Sequence, residues 1–345
     1  MSSVLRACRN KKLNLFIIHT NQHYARNLDE IFFNELELPH PMHNLNVRCG
    51  THAEEIGRML IGIERVLMRE KPDIVLVQGD TNTAFAGALT ASRLHVKIGH
   101  IEAGLRSYDR NMPEELNRII ADHCSDLLFA PTQQAKDNLL NEGIPRTKIF
   151  ITGNTIVDAI RQNLKIAVSK SNILGILSIE KKEYFVLTLH RQENVDVKDR
   201  LEKILEGMDR LADEFHLPII YPVHPRAKKM IRTFKLKVPR GVRTISPLGY
   251  FDFLMLQKNA KLIFTDSGGV QEEACILQVP CITLRDNTER PETIEIGSNI
   301  LVGTDAQKIQ QETMRSLRNK MRWKNPFGDG RAGEKIARII SKIMT

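Results

Sequence analysis

Short β-branched runs alternate with amphipathic stretches along almost the whole chain. Leu15-Phe16-Ile17-Ile18, Ile74-Val75-Leu76-Val77 and Lys97-Ile98 predict strands in the first half. Phe185-Val186-Leu187, Ile219-Ile220-Tyr221, Leu262-Ile263-Phe264 and Cys281-Ile282-Thr283-Leu284 predict strands in the second. Between them apolar residues fall at helical spacing, as in Ile56, Met59, Leu60, Ile63, Val66 and Leu67, one face of a 3.6-residue period. Strands alternating with helices mean βαβ units, hence parallel sheets covered by helices on both faces. The last apolar stripe, Ile336, Ile339, Ile340 and Ile343, is again helical and follows the breaker cluster Asn325-Pro326-Phe327-Gly328-Asp329-Gly330. No fixed-period repeat or low-complexity tract is visible.

The chain has 345 residues, and at roughly 100–200 residues per domain this favours two domains. The charge-rich stretch Lys165–Lys182 is the expected connection. The expected architecture is therefore α/β: two doubly wound, Rossmann-like domains with the active site in the cleft between them. Residues 1–160 plus 331–345 would form the first domain and residues 161–330 the second. The chain opens on a helix-like fragment, Ser2–Cys8, whereas a doubly wound domain normally opens on a strand. The expectation is that a strand belongs upstream of it.

Composition narrows the function. Fifty Lys and Arg against 41 Asp and Glu leave a net charge of +9, which suits an anionic ligand but is too diffuse to argue for nucleic acid. Aromatic residues are 6% with one Trp, too few for base-stacking platforms. No apolar run approaches the ~20 residues that span a bilayer, and the N-terminus lacks the apolar core of a secretory signal. Cys8, Cys49, Cys124, Cys275 and Cys281 are scattered and never spaced C-x-x-C. They point to a reducing cytoplasm, with neither a disulfide framework nor a zinc site. No metal and no cofactor are expected.

In parallel α/β sheets ligands bind beyond the carboxyl ends of the strands, so the polar residues directly after each strand carry the chemistry. Gln78-Gly79-Asp80-Thr81-Asn82-Thr83 follows one strand, where Asp80 serves proton transfer, binds a hydroxyl or merely caps the next helix. His100-Ile101-Glu102-Ala103-Gly104-Leu105-Arg106 follows another, with a structural Glu102–Arg106 ion pair as the plain alternative. In Met112-Pro113-Glu114-Glu115-Leu116-Asn117-Arg118, Pro113 suits a helix start and the two acids suit its positive end.

His190-Arg191 at the next strand end could bind or protonate a phosphate oxygen, and His224 is a weaker candidate of the same kind. Thr265-Asp266-Ser267-Gly268-Gly269-Val270-Gln271-Glu272-Glu273-Ala274 is the strongest local signal. Two glycines between strand and helix let backbone N–H groups approach a phosphate, and an acid one turn later can reach ribose hydroxyls. Arg285 and Arg290 could neutralise a diphosphate or form a salt-bridged loop. Neither G-x-x-x-x-G-K-[ST] nor G-x-G-x-x-G is present.

Taken together, these motifs resemble the non-hydrolysing UDP-N-acetylglucosamine 2-epimerase family. The segments are QGDTNT (78–83), HIEAGLRS (100–107), MPEELNR (112–118), TGNTIVDA (152–159), TDSGGVQEEA (265–274), RDNTERPE (285–292) and NPFGDG (325–330). HRQENVD (190–196) and the overall layout look most like archaeal members. The resemblance implies the two-domain architecture shared with GT-B glycosyltransferases. It also implies a reversible interconversion of UDP-GlcNAc and UDP-ManNAc by elimination of UDP to 2-acetamidoglucal and re-addition. By resemblance, Asp80, Glu102 and Glu114 match the catalytic carboxylates and His190 the catalytic or phosphate-contacting histidine. Ser267, Gly268 and Gly269 would hold the diphosphate, Glu273 the ribose, Phe253 would lie near uracil and Arg290 would contact phosphate. A homodimer, a cytoplasmic location and no nucleic-acid or membrane partner are expected. The family opens on a strand and a G-T-R-P-E loop, and Met1-Ser2-Ser3-Val4 matches the middle of the helix after that loop. The natural protein is therefore expected to be about fifteen residues longer. A hydrolysing epimerase that releases ManNAc, a GT-B glycosyltransferase and an inactive nucleotide-sugar-binding form are the alternatives.

Overall fold

A computed structural model of the chain describes residues 1–20, 38–47, 51–318 and 323–344. It divides into two compact units, Met1–Ala159 with Phe327–Thr345, and Ile160–Pro326.

In the first unit β1 (Ile18–His19) pairs in parallel with β2 (His43–Asn44). The expected strand at 15–18 is thus ladder-paired only at its end. β3 (Ile74–Gln78), β4 (Lys97–Ile101), β5 (Leu127–Ala130) and β6 (Ile149–Ile151) form a parallel sheet in that spatial order. Helix His52–Glu70 shows why the hydrophobic stripe forms a helix there. Thr51 caps it by accepting from the Glu54 N–H, Glu54 and Glu55 occupy the positive end, and left-handed Lys71 ends it. The stripe buries Met59, Ile63, Val66 and Leu67. Helix Asn82–Arg93 buries Ala84, Ala86, Gly87, Ala88 and Ala91, small residues that let it pack closely against helices His52–Glu70 and Pro113–Cys124.

The final helix, Ala332–Met344, belongs to this first unit. Its Ile336, Ala337 and Ile340 pack with Val4, Ala7 and Cys8 of helix Ser2–Asn10. Asp158 holds its first turn, accepting from the Ala332 and Gly333 N–H groups at 3.1 and 3.0 Å. Burial raises the Asp158 pKa, with these donors opposing the rise.

The second unit contains β7 (Phe185–Thr188), β8 (Ile219–Pro222), β9 (Val242–Ile245), β10 (Leu262–Thr265), β11 (Cys281–Thr283) and β12 (Asn299–Leu301). They form one parallel sheet in the order β12-β11-β10-β7-β8-β9. Its faces are both covered, so the central strands read as nearly continuous apolar runs that turn polar only at their ends. Phe185, Leu187, Phe264 and Ile282 enter one core, and Val186, Ile263 and Cys281 enter the other. The chain builds outward from β7 to β9, then returns to the middle as β10 and builds the other way. The strand order therefore reverses between β7 and β10, where this class of sheet opens a ligand crevice. Most of the polar stretch Lys165–Lys182 is helical, covered by helices Thr155–Lys170 and Ile173–Leu177.

Among the described residues, no helix is long and apolar enough to cross a membrane.

Candidate active site

In the first unit Asp80 and Glu102 stand just beyond β3 and β4, which lie side by side. Asp80 does not cap the following helix; Thr81 does, accepting from the Ala84 N–H. The Asp80 carboxylate is instead gripped by the buried Arg118 guanidinium. Asn117 Nδ2 donates to the Asp80 carbonyl oxygen at 2.9 Å and to Asn82 Oδ1 at 3.1 Å. Glu102 accepts from Gln78 Nε2 at 2.5 Å, and its φ of +69° is a conformation that a non-glycine residue keeps only when its surroundings hold it. The Glu102–Arg106 ion pair does not form. Arg106 instead meets Asp122 at 2.7 Å and Glu142 at 2.6 Å.

Helix Pro113–Cys124 starts at Pro113 as its sequence implies. Its two first-turn acids then diverge. Glu115 is buried and used in structure: it accepts from Ser107 N and Oγ at 3.0 Å and from Tyr108 N at 2.9 Å. It also pairs with Arg118 at 2.9 Å. Glu114 is half-buried beside it, on a helix that Asn117 and Arg118 tie to Asp80. Asp80 and Glu102 thus stand at neighbouring strand ends, and the helix that carries Glu114 is tied to Asp80 through Asn117 and Arg118.

In the second unit His190 follows β7 and the Asp266–Gly269 segment follows β10, the two strands at the reversal point. Thr188 and Thr265, opposite each other in register, join their hydroxyls at 2.6 Å. Asp266 is wholly buried and accepts from His190 Nδ1 at 2.8 Å. It also accepts from the His190 and Arg191 N–H groups at 3.1 Å and from Asn194 Nδ2 at 3.3 Å. Burial pushes its pKa up, but the bonds and charge of His190 and the two backbone donors outweigh that and hold it low. With Nδ1 bound to a carboxylate, the Nε2 edge of a ring 41% exposed is left to act on a ligand. The His224 ring lies 6.3 Å away. His224 Nδ1 accepts from the Arg226 N–H; burial and then the neighbouring His190 lower its pKa.

Ser267 precedes helix Gly268–Ile276, and no side chain caps that helix, so its first-turn amides are available to an anion. A Cβ at Gly268 would sit 2.5 Å from Glu289 Oε1, so any larger residue there must displace the Glu289 side chain. The two acids of this helix again diverge. Glu272 pairs with Arg290 through its Nε at 2.6 Å. Arg285 likewise pairs with Glu289 at 2.8 Å. Glu273 is half-buried and accepts from Gln257 Nε2 at 2.6 Å. Burial drives its pKa to about 7, with Gln257 opposing. Phe253 is partly buried against the same core, on helix Tyr250–Asn259.

The sequence alone does not single out the residues that hold these candidates in place: Gln78, His100, Glu115, Arg118, Asp122, Gln257 and Asp266. Most of them lie inside the motifs named above. A histidine in an otherwise apolar strand, or an arginine one helical turn from an acid, is the available signal. No group of three or more His, Cys, Asp or Glu among the described residues is arranged to hold a metal.

The pattern of the family described as UDP-N-acetylglucosamine 2-epimerase matches residues 6–341. A Methanocaldococcus jannaschii protein named UDP-N-acetylglucosamine 2-epimerase is 56% identical over 99% of this chain and 95% of its own. A Methanococcus maripaludis protein of the same name is 54% identical over 99% of this chain and 94% of its own. The crystal structure of the M. jannaschii enzyme in complex with UDP-GlcNAc and UDP superposes with a TM-score of 0.93 at 56% identity. That match covers 99% of this chain and 95% of the crystal chain.

Proposed function

The chain belongs to the UDP-N-acetylglucosamine 2-epimerase family, and from that membership we infer that it is an isomerase that inverts C2 of the N-acetylglucosamine carried on UDP. The observation that carries this reading is 56% identity sustained over 99% of the chain to an enzyme of that name. The motifs that place Asp80, Glu102 and His190 at strand ends support it. No observation favours the hydrolysing alternative.

The hydrogen on C2 is not adjacent to a carbonyl, so its direct removal as a proton would leave an unstabilised carbanion. Loss of UDP from C1 solves this. A base takes the C2 proton as the C1–O bond breaks, the electron pair of the C–H bond becomes the C1=C2 double bond, and the diphosphate departs with the C–O electrons. In the return step the diphosphate oxygen attacks C1 and C2 takes a proton on its other face, giving UDP-ManNAc. Such a path needs acid and base groups near C2 and C3 and a cradle for the diphosphate.

The first unit supplies carboxylates for proton transfer in Asp80, Glu102 and Glu114. The second supplies the cradle: the Ser267, Gly268 and Gly269 backbone and the outer edge of His190 take the diphosphate, Glu273 takes the ribose, and Phe253 lies by the uracil. Arg290, which pairs with Glu272 through its Nε, contacts the phosphate. A homodimer in the cytoplasm, supplying UDP-ManNAc to surface glycan synthesis, completes the reading. Ile61 and Met68, both exposed on helix His52–Glu70, offer such a dimer an apolar strip, and sedimentation of the purified chain tests it.

The test of the function is incubation of the purified chain with UDP-GlcNAc, followed by proton NMR. A mixture of UDP-GlcNAc and UDP-ManNAc, reached from either side, is expected. Free ManNAc with UDP as the accumulating products would contradict it.

A further inference from the structure

Behind Asp80 and Glu102 lies a buried network that the proton chemistry above does not use. His100, on β4, has no exposed surface. Its Nε2 is 2.9 Å from the Gly79 carbonyl oxygen, which can only accept, so Nε2 carries a hydrogen. Its Nδ1 is 2.6 Å from Asp122 Oδ1. The other Asp122 oxygen accepts from the Gly104 N–H at 3.1 Å and meets Arg106 at 2.7 Å. Arg106 in turn binds both oxygens of Glu142 at 2.7 and 2.6 Å. Asp122 is therefore held as a carboxylate, and the imidazole faces an acceptor at each nitrogen. Burial opposes charge on the ring; the charge and hydrogen bond of Asp122 outweigh it, with Gly79 and Glu102 adding to the rise in the His100 pKa.

The network touches the site at one turn. Gly79 has a φ of +70°, its N–H donates to the Ile101 carbonyl at 3.0 Å, and its own carbonyl is taken by His100. Both polar groups of the residue before Asp80 are thus held by β4, the strand that ends just before Glu102. We propose that His100 is an imidazolium at neutral pH and a positioning residue: it fixes the Gly79–Asp80 turn against β4 and places a buried positive charge behind the two carboxylates. The charge state stands on this geometry alone; the kinetic consequence rests on the epimerase reading.

Two measurements on the full chain test this. In the first, nitrogen-15 NMR of histidine-labelled protein at neutral pH is compared with the His100→Gln spectrum to assign the ring. Both His100 nitrogens should show the shifts of protonated imidazolium. A ring with one unprotonated nitrogen would overturn the proposal, whether or not the protein turns over sugar. In the second, His100→Gln should lower kcat by about 100-fold, the loss expected for displaced reacting groups, while KM and the Kd for UDP stay near wild type. An unchanged kcat, or UDP affinity lost in parallel with kcat, would overturn the positioning role. Absence of turnover by the wild-type chain would count against the epimerase reading, while the NMR spectrum would still decide the charge state of His100.

Discussion

Glu273 gives the second unit a pH-dependent stability that can be worked out from its surroundings. Its carboxyl is moved by burial from 4.5 to about 7, so ionising it in the folded chain costs more than in the unfolded one. At about 1.4 kcal/mol per pKa step, that cost has a ceiling of about 3 kcal/mol, reduced by its partial exposure. The sign follows from proton linkage. Between pH 4.5 and 7 the folded state keeps a proton that the unfolded state has lost, so stability falls as pH rises through that window and then levels off. Glu273→Gln keeps an acceptor for Gln257 and removes the ionisation. Relative to wild type it should gain up to about 3 kcal/mol at pH 8 and almost nothing at pH 4.5. Urea unfolding followed by tryptophan fluorescence reads the relevant unit. Trp323 is the sole tryptophan, and its Nε1 donates to the Cys275 carbonyl at 2.9 Å, on the helix that carries Glu273. A difference between variant and wild type that stays flat across pH, or runs the other way, would refute the reasoning.

The other partners make their own predictions. Arg118→Met leaves Glu115 buried without its countercharge and should cost about 3 kcal/mol in urea unfolding, as well as activity through Asp80. A variant as stable as wild type would show the pair to be dispensable. Asp266→Asn removes the charge that orients His190, and kcat/KM should fall about 100-fold by the misplacement argument; unchanged kinetics would remove Asp266 from the site. Gly268→Ala places a methyl against Glu289, which Arg285 holds at 2.8 Å. UDP affinity measured by calorimetry should drop at least about tenfold, a 1.4 kcal/mol loss, and retained affinity would mean that the helix start gives way.

The fold was legible because its strands and helices differ in period and length. The continuous runs at 185–187 and 262–264 became the doubly covered strands β7 and β10, and the stripe at Met59, Ile63, Val66 and Leu67 became a buried helix face. Positions directly after strands stand out as candidates for a topological reason. The hidden part was pairing. Nothing local says that Arg118 turns to Asp80, thirty-eight residues away, or that Arg106 passes over Glu102 for Asp122 and Glu142. Neighbouring acids look equivalent in sequence, yet Glu114 and Glu115 differ by the face of the helix they occupy, and so do Glu272 and Glu273. His100 was hidden by its context: a polar residue inside a buried strand makes sense only once Gly79 and Asp122 are seen to satisfy it.

On the proposed function, the carboxylates of the first unit move the C2 proton of the UDP-sugar. The most direct measurement is proton NMR of UDP-GlcNAc in D2O with wild type and with Glu102→Gln. Wild type should form UDP-ManNAc and replace hydrogen by deuterium at C2 in both sugars, while Glu102→Gln, still binding UDP, should exchange at least about 100-fold more slowly. Epimerisation without deuterium at C2, or unimpaired exchange by the variant, would contradict it.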